Sequence, residues 1–154
     1  MKHLLSSALC LTVLATSAFA DTRLADIITH AGQVKKGSEQ ITLLLKAKQP
    51  DAQAVRDGIT AMGGDIENLQ RLVVELTEAN PQFIQRGDKD WDLLKMKVQL
   101  LAIFHNTKDE LMKADDMKKN RSLLRAHAKG LAMRASLLQQ TAQRMLQQTA
   151  QRMQ

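Results

Sequence analysis

The chain has 154 residues, 44% of them apolar, 25% charged and 3% aromatic, with a formal net charge of +6. Two Pro and seven Gly exclude collagen-like and low-complexity chains, and the apolar fraction is too high for a disordered one. A single Cys excludes a disulfide framework and a zinc knuckle or ribbon.

Residues 1–20 read MKHLLSSALCLTVLATSAFA. Lys2 and His3 make a short basic start, and the apolar run that follows from Leu4 is too short for a permanent bilayer span. Ala18, Phe19 and Ala20 form an A-x-A cleavage signal. This pattern predicts a signal peptide over 1–20, cleaved before Asp21, and a periplasmic or secreted protein. Cleavage there removes Cys10, the sole thiol. No later run of roughly 18 apolar residues predicts a transmembrane segment in the mature chain.

The mature chain reads as helices. Leu24, Ile27, Ile28, Ala31, Val34, Ile41 and Leu45 predict an amphipathic helix over 22–48, with Thr22 as a candidate N-cap. The strongest period lies in 52–76, where Ala52, Val55, Ile59, Met62, Ile66, Leu69, Val73 and Leu76 alternate spacings of three and four, a coiled-coil-like seam. Pro50 and Asp51 signal its start, Asn80 and Pro81 its end. Residues 80–90 carry no period and read as a loop.

Asp88 or Asp90 then caps a third helix bearing Leu94, Val98, Leu101, His105 and Met112, broadened by Leu93, Leu100, Phe104 and Leu111. A break is expected between Asp115 and Ser122, because the third seam, extended by heptads, lands on the polar residues Asp115, Lys119 and Ser122. A fourth helix shows Leu124, Ala128, Leu131, Ala135, Leu138, Ala142 and Met145, whose small Ala residues favour close approach of a neighbour.

LQQTAQRM at 138–145 recurs unchanged at 146–153. Eight residues turn an ideal helix by about 80°, so Leu146 and Met153 are expected to leave the seam and the second copy to add little to the fold. The expected architecture is an all-α, antiparallel up-down-up-down four-helix bundle over 21–145, with a duplicated tail at 146–154. The heptad seam also suits a homodimer of two hairpins.

Catalysis has little to work with. The mature chain lacks Cys and Tyr, and no nucleophile motif surrounds Ser38, Ser122 or Ser136, so the reading is non-enzymatic. His30, His105 and His127 fall at depths of about 27, 18 and 12 Å from one end of the bundle, too spread for a three-His metal site. No H-E-x-x-H or E-x-x-H is present.

His105 lies on an apolar face, at about the depth of Met62, and Gly58, Gly63 and Gly64 flank Met62. Room for a bulky neighbour such as Phe104 explains these glycines. The alternative is a flat cofactor or soft metal, haem b or copper, ligated by His105 and Met62. The bundle resembles the soluble periplasmic b-type cytochromes, which implies a small electron-transfer protein. No C-x-x-C-H is present, so covalent haem is excluded, and no His lies near the C-terminus, where that family carries one.

Charge is the second signal. Residues 21–116 hold 13 basic and 16 acidic residues, whereas 117–154 hold eight basic and none acidic. Lys118, Arg121, Arg125 and Lys129 recur at helical spacing as one stripe. They predict a docking face for an anionic envelope surface or an acidic partner protein. Nucleic acid is not expected, since only Phe83, Trp91 and Phe104 could stack on bases. Met96 and Met133 fall off the seams, where they could form an adaptable contact surface.

Overall fold

The structure, a computed structural model, describes residues 4–80, 88–108 and 117–152, with side chains over 22–80, 88–108 and 119–151. Among these residues are four helices, numbered here α1 (Leu4–Leu44), α2 (Ala52–Ala79), α3 (Lys89–Asn106) and α4 (Met117–Arg152). The expected leader lies outside the residues whose side chains are described. No helix among the described residues is long and apolar enough to cross a membrane.

Heptad seams bring the helices together. Along α1 and just past its end the buried residues are Leu24, Ile27, Ala31, Val34, Ser38, Ile41 and Leu45, an unbroken alternation of threes and fours. Ser38 fills a seam slot that its polarity hid in the sequence. Its hydroxyl donates to Val34 O at 2.7 Å and lies 3.1 Å from Met62 Sδ, so burial leaves it satisfied. On α4 all seven expected seam residues, from Leu124 to Met145, are buried. On α2 the stripe holds except at its ends, where Leu72 is buried in place of Val73 and Ala52 is half-buried. Such seams suit antiparallel packing at shallow crossing angles.

Contacts between helices fix the topology. Arg23 meets Glu75, His30 meets Asp65 and Gly37 meets Met62, so α2 runs back along α1. Lys97 reaches Leu137 and Thr141, while Phe104 reaches Gly130, so α4 runs back along α3. Gln139 reaches Ile28 O at 3.4 Å, and Arg121 the far end of α1, so α4 is also antiparallel to α1. Each helix has two principal neighbours, in the ring α1–α2–α3–α4, and α1 with α4 shares the largest interface. This is a four-helix arrangement with the contacts of an up-down bundle. The Ala residues of the α4 seam and Ala31 are fully or nearly fully buried, consistent with that close approach.

Local signals act as the sequence suggests, with exceptions. Asp51 caps α2, its carboxylate accepting from Ala54 N at 3.0 Å. Asp88, not Asp90, caps α3, accepting from Asp90 N at 3.0 Å and Trp91 N at 3.2 Å. Asn80 ends α2, its N–H and Nδ2 both donating to Leu76 O. Thr22 lies inside α1 rather than at its start, and α1 stops at Leu44, before the expected 48.

The break after α3 comes earlier than Asp115. Thr107 closes the helix, its N–H and Oγ1 both donating to Phe104 O. Lys119 and Ser122 belong to α4, while Leu111, Met112, Asp115 and Asp116 lie outside the described residues. Trp91 is fully buried at the start of α3, and Leu100, expected to broaden the apolar face, is 48% exposed. Aromatic bulk packs below the Asp88 cap, while Leu100 sits opposite the seam of Val98, Leu101 and His105. Helix α4 continues through the second octapeptide copy, where Leu146 packs half-buried against the core. Leu146 follows Ala142 by four residues, and the buried face is wide enough to absorb the drift of the repeat.

Candidate binding face on the fourth helix

Helix α4 carries Lys118, Lys119, Arg121, Arg125, Lys129, Arg134, Arg144 and Arg152 and no carboxylate. Packing divides the basic stripe into parts with different work. Arg121 is structural. Its Nε donates to Leu45 O and its Nη2 to Ala47 O at 2.6 Å. The last carbonyls of a helix have no partner within it and carry the negative end of its dipole. A guanidinium from the neighbouring helix answers both needs, so Arg121 is spent on holding α1 and is not free to reach a ligand with those two donors.

Arg125 and Lys129 stand one and two turns further along. Together with Lys119, Arg121, Ser122 and Ala126 they line a surface hollow of about 470 Å³. Lys129 is exposed and forms no ion pair with a carboxylate among the described residues. Arg125 is half-buried, and its Nε is buried without a hydrogen-bond partner among the described residues. The side chain of Lys118 lies outside them. The described hollow is thus cationic and open to water. An oxyanion such as a phosphate or carboxylate matches that chemistry.

The other candidate residues are placed apart. Met62 faces α1. Its Cγ lies 3.1 Å from where a Cβ on Gly37 would stand, and its sulfur lies 3.1 Å from Ser38 Oγ. His105 faces α2, its Nε2 lying 3.3 Å from where a Cβ on Gly63 would stand. The two line different clefts, Met62 the one between α1 and α2, His105 the one beside Gly63 and Gly64. The glycines have separate tenants: Gly63 admits the His105 ring, Gly58 admits Ile41, and Gly64 has open space. Phe104 lies instead against Gly130 of α4.

His30 Nδ1 pairs with Asp65 Oδ1 at 2.9 Å. His127 is buried, stacked on Phe104 with ring centroids 4.8 Å apart. Burial, then the charges of Lys108 and Arg134, hold its pKa below the usual 6.5. Among the described residues no group of three His, Cys, Asp or Glu could hold a metal ion.

One basic residue off the stripe was missed in the sequence. Lys97 of α3 donates to Leu137 O at 3.1 Å and to Thr141 Oγ1 at 2.6 Å, tying α3 to α4. Burial, then Arg144, lower its pKa, with Asp90 opposing. Nothing in local spacing marks such a lysine, because its partners are 40 or more positions away in the chain. No family model, no curated protein and no solved structure matches this chain.

Proposed function

We propose that this is an exported, non-catalytic binding protein that docks an anionic partner through the outer side of α4. The observation that carries the reading is that Arg125 and Lys129 stand at an open hollow on a helix with no carboxylate of its own. A helix whose charges served only to balance acidic neighbours would have them paired across the bundle. Among the described residues Arg144 lies 3.9 Å from Asp90 at the far end, whereas Arg125 and Lys129 form no ion pair with a carboxylate. The leader-like residues 1–20 support export. The absence of any nucleophile motif supports binding rather than turnover.

Attraction of this kind is long-ranged only until salt screens it, at about 8 Å under physiological conditions. The test is co-sedimentation of the protein with phosphatidylglycerol vesicles, phosphatidylcholine vesicles and immobilised polyglutamate, at low and high salt. Binding to the phosphatidylglycerol or polyglutamate matrix that fades with salt supports the reading, and the two matrices separate an envelope surface from an acidic protein. No binding to either, or binding indifferent to salt, contradicts it.

A further inference from the structure

The outward face of α3 and α4 carries a second surface, separate from the basic hollow. Met96, Leu100 and Ile103 follow one another on α3 at spacings of four and three. Met133 and Leu137 do so on α4 at a spacing of four. All five are between 44% and 63% exposed. The two stripes lie side by side. Lys97, next to Met96, reaches Leu137, and Phe104, next to Ile103, meets Gly130 and Arg134, next to Met133. A single exposed apolar side chain is ordinary, but two adjacent stripes of them mark an interaction surface.

The polar groups between the stripes select the occupant. Lys97 lies there, drawn onto Leu137 O and Thr141 Oγ1, and so does Arg134, whose guanidinium carbon sits 3.8 Å over the Phe104 ring. From Lys95 to the end of α3 at Asn106, and along all of α4, there is no Asp or Glu. Among the described residues the face therefore offers apolar ridges and two central cations, with one carboxylate, Asp92, at its edge a turn before Met96 and already paired with Lys95 at 3.0 Å. A second copy related by a two-fold axis would present the same patch, so the cations Lys97 and Arg134 would meet a surface of their own sign. Acyl chains would cover both cations without pairing them, which is costly for buried charge. An amphipathic helix with carboxylates beside its apolar stripe answers both features. Its anchors at i, i+3, i+4 and i+7 match the two turns, about 10 Å, over which Met96, Leu100 and Ile103 extend.

We infer that the α3/α4 face, formed by Met96, Leu100, Ile103, Met133 and Leu137 around Lys97 and Arg134, receives an acidic amphipathic helix of a partner protein. The flexible thioethers of Met96 and Met133 suit a surface that moulds to such a helix. This surface does not depend on the hollow around Arg125, so the two readings stand or fall separately.

The experiment titrates the isotope-labelled protein with a stapled helical peptide of about 14 residues, carrying leucines at i, i+3, i+4 and i+7 and flanking glutamates. A twin with lysines in place of the glutamates and phosphatidylglycerol vesicles form the other arms. The glutamate peptide is expected to shift the amides of Met96–Phe104 and Gly130–Leu137. The double variant Leu100→Ser, Met133→Ser should keep the circular dichroism and melting temperature of the parent and bind the peptide at least tenfold more weakly. The lysine twin should leave those amides in place. The inference is overturned if the glutamate peptide does not move them, or if both peptides bind equally. It is also overturned if the vesicles move them and the peptide does not, or if ultracentrifugation shows a dimer that the double variant dissociates.

Discussion

Gly130 and Gly64 both sit inside helices, where Gly costs roughly 0.8–1 kcal/mol against Ala. Their surroundings give the same substitution opposite signs. A Cβ on Gly130 would stand 2.7 Å from two carbons of the Phe104 ring, which is held by the His127 stack and by Arg134. A Cβ on Gly64 meets nothing within 4 Å. Gly64→Ala should therefore raise stability by about 0.5–1 kcal/mol, and Gly130→Ala should lower it by about 1 kcal/mol or more, both read from denaturant midpoints. His127 gives a pH signature. Its folded-state pKa lies below 6.5, so the unfolded chain takes up this proton first as pH falls. Its contribution is complete above about pH 6.5, declines as pH drops through that value, and levels off once the folded protein also protonates. His127→Gln should flatten this part of the stability profile, from about pH 7 downward. A profile unchanged by the substitution would mean that His127 is not buried against Phe104.

At the scale of elements, Arg121 decides how α1 ends. Arg121→Met keeps the length of the stem and removes the donors to Leu45 O and Ala47 O. It should cost about 1–2 kcal/mol in thermal or chemical unfolding, the order of a lost hydrogen-bonded cap. The second octapeptide copy should also register, although the 80° argument sets it aside. Leu146 packs half-buried on the core and Gln148 Nε2 donates to Asp90 Oδ2 at 3.1 Å. Truncation after Met145 should lower stability by about 1 kcal/mol, roughly the worth of a partly buried Leu. What the sequence showed of these elements was what is local and periodic. The α4 seam was readable residue by residue because its apolar side chains repeat, and Asp51 because capping acts over three residues. Ser38 was not, since its place in the seam depends on Val34 O and Met62 to satisfy its hydroxyl. The end of α3 was misjudged because Thr107 closes the helix through its own side chain, inside a stretch with no Gly or Pro.

For the molecule as a whole, heptad seams on consecutive helices made the bundle legible, while its surface was legible only in part. The charge of α4 is plain in the sequence. That Arg121 is taken up by α1, leaving Arg125 and Lys129 at the hollow, depends on contacts across more than 70 positions of chain. The pairing of Met62 with His105 rested on an apolar face, on the glycines around Met62 and on equal depth. Depth was right, since His105 abuts Gly63, but direction was not given by it: Met62 turns to Ser38 on α1. The central claim is that the open cations of α4 bind and the tied one supports the fold. It is tested most directly by the affinity of Arg125→Glu, Lys129→Glu for the anionic matrix that the parent protein binds, at low salt. Lys129 is exposed and Arg125 is in no ion pair among the described residues, so this variant should keep the circular dichroism of the parent and yet bind at least tenfold more weakly. Undiminished binding by the folded variant would contradict the account.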